Sequence, residues 1–200
     1  AAFSLIGQTF AQDKNKMHKA KSGIIEYKLS GKTIGTETMY FDDHGKKEAT
    51  YRKSTTKIMG TTTTEDVISL RLDSVIYDIN LEEKTGVRMV IPFDPSDLTE
   101  KELEELEETG KKMMDDMGFE KIGEEKILGR NCEIWEGMGT KIWIWEGLTM
   151  KTEVNLMGQW ISEAVRIEID PRIDNGKFKI PDGIEIVDAG YAFEDEENIQ

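Results

Sequence analysis

The stretch Lys141-Ile142-Trp143-Ile144-Trp145 decides the fold class. In a β-strand, successive side chains point to opposite faces, so the two isoleucines lie on one face and the two tryptophans on the other. An antiparallel strand with one face in water alternates apolar and polar residues, and this stretch does not. We therefore expect protein to cover both faces of this strand.

Strand patterns separated by short turns continue on both sides of that stretch. Between residues 22 and 91, Ile25, Tyr27 and Leu29 alternate with polar residues, and a tight turn is predicted at residues 42–45. Further strands are predicted over residues 132–135, 148–156 and 160–169, and a loose tail with an acidic end after Pro171. Closely spaced strands without helices between them predict an antiparallel meander.

One helix is predicted in the middle of the chain, over residues 98–117, with Gly110 as a point where it could break in two. Asp97 can cap its N-terminus, and Gly118 follows its last turn. We expect its apolar stripe to cover one face of the sheet, which makes the fold class α+β, mainly β, with one or two helices. The stripe consists of Leu103, Leu106, Met113 and Met117.

Length and charge exclude several classes of protein. Two hundred residues form one domain, and a charged fraction of 33% with an apolar fraction of 38% is typical of a globular chain. The net charge of −14 argues against binding to nucleic acid and to anionic membrane surfaces. No segment approaches the ~20 apolar residues of a membrane-spanning helix.

The first residues resemble the end of a secretory signal. Residues 1–7 are mostly apolar, and small residues stand at Thr9 and Ala11 before the polar Gln12. We interpret residues 1–11 as a signal-peptide remnant and residues 12–200 as a single domain, and we expect a periplasmic or secreted protein. The alternative is a short apolar helix that packs on the domain.

No complete catalytic or metal-binding motif is found in the sequence. With two histidines and one cysteine, neither a zinc site nor a Cys–His dyad is expected, and we assign no catalytic residue, metal or cofactor. We expect Cys132 to be a small buried apolar residue. The abundant carboxylates leave a carboxylate-dependent hydrolase open as the least favoured alternative.

The apolar residues around the decisive stretch are the candidate ligand-binding residues. Trp135, Met150 and Trp160 stand on neighbouring predicted strands and extend the surface of Trp143 and Trp145, and the stripe of the helix faces them in this interpretation. Methionines add an adaptable lining for varied apolar shapes. Two interpretations stay open, a cavity for an acyl chain or an apolar peptide and a plain hydrophobic core.

Three segments resemble the LolA-like superfamily of envelope proteins, specifically an uncharacterised bacterial branch known as domain of unknown function 4412. They are a turn and strand at residues 128–135, an aromatic hairpin at residues 142–154, and the closing segment Phe178-Lys179-Ile180-Pro181-Asp182-Gly183-Ile184-Glu185-Ile186. The resemblance implies that residues 12–200 form one LolA-like domain with an acidic tail. It also implies a curved, antiparallel, half-open barrel with helices on its concave face.

The resemblance implies a function as well. In the better-known members the apolar concavity carries lipoprotein acyl chains between membranes. We therefore expect a non-enzymatic envelope protein that binds a lipid acyl chain or a lipoprotein. The alternative is an interaction or structural protein that docks an envelope partner on an apolar sheet face or edge.

Overall fold

The computed structural model describes residues 17–58, 60–91, 118–155 and 158–191. Within these ranges the chain forms twelve β-strands and two short 3₁₀ turns, at Asp43–Gly45 and Asn175–Phe178. The strands are β1 Gly23–Gly31, β2 Thr33–Asp42, β3 Lys47–Ile58, β4 Thr61–Leu72, β5 Val75–Asn80, β6 Thr85–Val90, β7 Glu120–Ile127, β8 Arg130–Gly137, β9 Thr140–Trp145, β10 Leu148–Val154, β11 Trp160–Ile169 and β12 Glu185–Tyr191.

The twelve strands form one sheet in the order β12-β6-β5-β4-β3-β2-β1-β11-β10-β9-β8-β7. Strands β1–β6 form one antiparallel meander and β7–β11 form another, and the pairing of β1 with β11 joins the two. The predicted antiparallel meander is therefore confirmed. The sheet is open, with β12 and β7 as its two edges, and the predicted curved, half-open barrel with helices on its concave face is not confirmed in the described residues.

Local sequence patterns explain the strands that were predicted. In β1 the alternating Ile25, Tyr27 and Leu29 are 0%, 6% and 1% exposed. In β9 three consecutive side chains are buried, with Ile142, Trp143 and Ile144 at 2%, 5% and 3% exposure. The expectation that both faces of this strand are covered is confirmed.

Three clusters of buried side chains form the core. The largest joins strands β1 and β2 to β7–β11, and it includes Trp143, Met150 and the fully buried Cys132. The second lies along β3–β5 and includes Phe178 from the 3₁₀ turn after β11. The third consists of Phe119, Ile142 and Ile144, with Trp135 packed against it. The prediction for Cys132 is confirmed.

The prediction of a loose tail after Pro171 is wrong in part. Phe178 is buried, and Glu185–Tyr191 forms β12, which pairs in parallel with β6. The acidic end of the tail, the signal-like residues 1–11 and the predicted helix over residues 98–117 lie outside the described residues. The covering of the sheet by that helix therefore stays a prediction.

Candidate functional site

Three rows of side chains cross strands β2–β5 on one face of the sheet. Antiparallel register places residues of neighbouring strands directly opposite each other, so their side chains share this face. The rows are, in strand order, Glu37, Arg52, Val67 and Asn80, then Met39, Thr50, Ser69 and Asp78, then Phe41, Glu48, Arg71 and Ile76. Most of these residues are polar, which is unusual for a face that is not fully in water.

A cavity of about 620 Å³ lies against this face. Its lining comes from β1–β5 and from β10 and β11, which are seven consecutive strands of the sheet, and from the segment before β1. The volume falls within the range of roughly 300–1,000 Å³ that small-molecule sites occupy. The apolar part of the lining includes Tyr27, Met39, Val67, Leu148, Val154 and Trp160.

Tyr27 connects the two sides of this cavity. Its hydroxyl donates a hydrogen bond to the Thr149 carbonyl oxygen of β10 at 2.8 Å, although β11 lies between β1 and β10 in the sheet. Burial raises the pKa of Tyr27 well above its usual value, and the charges of Glu37 and Glu48 raise it further. The phenol is therefore a neutral donor throughout the physiological range.

The polar side chains of β2–β5 that line the cavity form its polar wall, and two contacts hold this wall in place. Arg52 donates to the same oxygen of Glu37, Oε2, from both Nε and Nη2 at 2.6 Å, which neutralises this pair. In the next row Ser69 Oγ donates to Asp78 Oδ1 at 2.8 Å. Hydrogen bonds to charged groups are stronger than neutral ones, so both contacts hold their side chains in place.

A buried charge network closes one end of the cavity. Glu48, which is 7% exposed, lies 2.5 Å from His18 Nε2 through Oε1 and 2.8 Å from Arg71 Nη2 through Oε2. The same Arg71 nitrogen donates to the Gly45 carbonyl oxygen at 2.8 Å. Burial works to raise the pKa of Glu48, but the charge of Arg71 and the hydrogen bonds from His18 and Arg71 outweigh it and lower the pKa below its ordinary value.

The segment before β1 reaches from this network to the turn between β9 and β10. Lys19 forms an ion pair with Glu146 of that turn at 3.0 Å. The next residue, Gly147, has a φ of +83°, and a Cβ atom there would lie 2.7 Å from the Met17 carbonyl oxygen. The turn therefore requires glycine both for its backbone conformation and for the close approach of residues 17–22.

Of the aromatic residues that the sequence singled out, Trp160 lines the cavity. Trp143 and Met150 lie in the largest core cluster, 5% and 0% exposed. Trp143 Nε1 donates to Glu125 Oε2 at 2.7 Å, and Lys151 Nζ lies 4.6 Å from its ring centroid.

The other candidates are placed as follows. Trp135 packs against the cluster of Ile142 and Ile144. Trp145 packs against the largest core cluster, and the Arg130 guanidinium lies 4.6 Å from the centroid of the Trp145 ring. Leu103, Leu106, Met113 and Met117 lie outside the described residues. Whether these residues and the buried tryptophans contact a ligand stays a prediction.

Sequence reasoning missed the polar wall. Along β3, Glu48, Thr50 and Arg52 alternate with Ala49 and Tyr51, which indicates a strand with one polar face. That pattern is the usual signature of a face in water, and the sequence carries no signal that the strands opposite would enclose this one.

Within the described residues, no helix has the length and hydropathy of a membrane span. Within the same ranges no group of three or more histidine, cysteine or acidic side chains is arranged to hold a metal ion.

No protein-family model and no curated protein matches the chain. Among solved structures, the chain is similar to an uncharacterized conserved protein from Thermus thermophilus, with a TM-score of 0.54 and 8% identity. The match covers 94% of this chain and 99% of that one. At this identity the similarity shows a common fold and nothing about function.

Two further structures are more distant. PNGF-II matches with a TM-score of 0.46 at 12% identity, over 86% of this chain and 32% of the other, so the chain spans about a third of its length. LprF from Mycobacterium bovis matches with a TM-score of 0.37 at 10% identity, over 86% of this chain and 94% of the other. Both similarities are too low to carry an argument.

Proposed function

We propose that this chain is a carrier that holds an acyl-chain amphiphile, a lipid or the lipid part of a lipoprotein, in the cavity against β1–β5, β10 and β11. The observation that carries the proposal is a cavity of about 620 Å³ with apolar side chains on both sides, among them Met39, Leu148 and Trp160. In this proposal the sheet is a curved, half-open barrel of the LolA-like kind, as the resemblance implies.

The apolar lining is sufficient for useful affinity. Burying one CH₂ group contributes about 0.8 kcal/mol, so about ten groups contribute about 8 kcal/mol before the costs of association. The polar wall then suits a ligand with one polar end, because a wholly apolar ligand would remove water from Arg52 and Asp78 without replacing its hydrogen bonds.

The proposal includes the absence of catalysis. The carboxylates of Glu37 and Glu48 are engaged in ion pairs with Arg52 and Arg71, and Glu48 is buried with a lowered pKa. A general acid needs a raised pKa and a general base needs access to the substrate. These contacts support a structural role for both carboxylates.

The location in a bacterial envelope is part of the same proposal. It rests on the signal-like pattern of residues 1–11 and on the resemblance to envelope proteins. The alternative is docking of an envelope partner on an apolar sheet face, and the experiment below distinguishes it from the carrier function.

Native mass spectrometry tests the carrier function directly. The protein is purified from an envelope fraction and weighed before and after extraction with organic solvent. Extra mass that disappears on extraction supports a bound lipid. A bare chain before extraction, together with no mass gain after incubation with an acyl-chain detergent, contradicts the carrier function and favours the docking alternative.

A matched pair of variants locates the site. Thr50→Trp places a large side chain into the cavity from β3, and Thr36→Trp adds the same side chain to the exposed opposite face of β2. We expect Thr50→Trp to weaken detergent binding at least about tenfold, ~1.4 kcal/mol, because it fills the cavity, and Thr36→Trp to leave binding unchanged. Equal effects of both variants would place the ligand elsewhere.

A further inference from the structure

We propose that the polar end of the bound amphiphile is a hydrogen-bond donor, a primary amine, that sits against Asp78 of β5. This inference rests on the proposed carrier function and adds the chemical class of the head group. It follows from the balance of charges on the cavity wall.

Among the described residues, three acidic side chains line the cavity, and two of them are neutralised by a cation. Glu37 has Arg52 at 2.6 Å, and Glu48 has Arg71 at 2.8 Å. Each of these pairs contributes no net charge to the cavity, and Glu48 is engaged through both of its oxygens. Neither Glu37 nor Glu48 therefore presents an uncompensated charge to a ligand.

Asp78 differs from both. It lines the cavity half-buried, and its partner is the neutral Ser69, which donates to Oδ1 at 2.8 Å. In the part of the chain that the structure describes, no cation lies within ion-pair distance of Asp78, and Oδ2 accepts no hydrogen bond. A carboxylate that is partly removed from water and has no cationic partner attracts a positively charged hydrogen-bond donor.

The same wall disfavours an anionic head group. A carboxylate or phosphate placed here would meet the uncompensated charge of Asp78, and Arg52 could turn to it only by leaving Glu37. Like charges in a partly buried site repel strongly, so we expect discrimination against anions.

Three probes with the same twelve-carbon chain test this in the wild-type protein at pH 7, below micelle formation. Dodecylammonium carries N–H donors, dodecyltrimethylammonium carries the charge without a donor, and dodecanoate is an anion. Binding measured by calorimetry should follow that order, with dodecylammonium at least about tenfold tighter than dodecanoate.

The variant Asp78→Asn should remove most of this preference, with an approximately tenfold fall in the affinity ratio of dodecylammonium to dodecanoate. Asp66→Asn is the matched control, because it makes the same change of net charge on the opposite face of β4, where Asp66 pairs with Lys53. It should keep the preference. Equal losses in both variants would mean that the net charge of −14 sets the preference, and would overturn the assignment to Asp78.

The outcomes separate this inference from the carrier function. If none of the three probes binds, the carrier function itself fails. If dodecanoate binds as tightly as dodecylammonium, or if the trimethylated probe matches the primary amine, the carrier function stands and the donor head group is wrong. Because these comparisons use the wild-type protein, they test the donor head group even if Asp78→Asn does not fold.

Discussion

Strands β9 and β5 belong to one sheet and differ in what covers them. In β9 three consecutive side chains are buried, Ile142, Trp143 and Ile144, because core clusters lie on both faces. In β5 the buried Ile79 belongs to the core cluster along β3–β5 and also borders the cavity, while the half-buried Asp78 lines the cavity from the other face of the strand. An apolar strand therefore marks a filled interior here, and a strand with one polar face marks the cavity.

This comparison separates stability from binding. Side chains of β9 fill space on which the fold depends, whereas side chains on the cavity wall border a space that a ligand can enter. Substitutions in the first group should act on the free energy of unfolding, and substitutions in the second should act on ligand affinity. The predictions below test this division, beginning with the largest effect.

We expect Trp143→Ala to cost about 3–5 kcal/mol of the free energy of unfolding, because a large side chain that is 5% exposed leaves a cavity in the main core cluster. It also removes the hydrogen bond to Glu125. Denaturant unfolding measures the loss. Ile122→Ala is the control, since Ile122 is 48% exposed and its replacement should change stability by about 0.5 kcal/mol or less.

A small loss of stability for Trp143→Ala, combined with a large loss of ligand affinity, would contradict this division between the filled interior and the binding wall. It would mean that Trp143 contacts a ligand, as the sequence alone suggested, and that the side chains of β9 line a second binding site.

We expect Glu48→Gln to cost about 2–3 kcal/mol near pH 7, because it leaves Arg71 buried without its counter-charge while keeping the shape of the side chain. The effect depends on pH with a defined sign. The folded-state pKa of Glu48 lies below the ordinary value of 4.5, so its contribution is present above pH 4.5 and is lost as the pH falls through the folded-state value.

Urea unfolding of both proteins from pH 7 to pH 3 checks this. The gap in unfolding free energy between wild type and Glu48→Gln should be widest at neutral pH and should narrow below pH 4.5. A gap that stays constant over the whole range would mean that the charge of Glu48 does not stabilise the fold.

Local patterns in the sequence predicted most strands and the burial of β9, because strand periodicity and turn residues are short-range signals. Ile25 and Cys132 are buried as expected for alternating positions. The parallel pairing of β12 with β6 was not predictable in this way. It joins Val187 to Val87 across a hundred residues, and neither segment indicates its partner.

The cavity could not be predicted for a similar reason. Its walls come from strands that are distant in the sequence, such as Asp78 of β5 and Trp160 of β11. Each wall by itself has an ordinary alternating pattern. The pair of His18 and Glu48 likewise depends on a segment of irregular backbone that meets β3 thirty residues later, where periodicity gives no guidance.

Of the three variants expected to lose stability, Trp160→Ala should lose the least. Trp160 begins β11, is half-buried and lines the cavity beside Val154, so its removal enlarges an existing space and should cost only about 1 kcal/mol of unfolding free energy. Its effect on binding should be larger, since an acyl chain loses an aromatic contact surface. Trp143→Ala should lose more stability than Trp160→Ala, and Trp160→Ala should lose more detergent affinity than Trp143→Ala. If both variants instead lose stability and affinity in the same proportion, the detergent affinity would simply report the folded fraction, and the division between a filled interior and a binding wall would not hold.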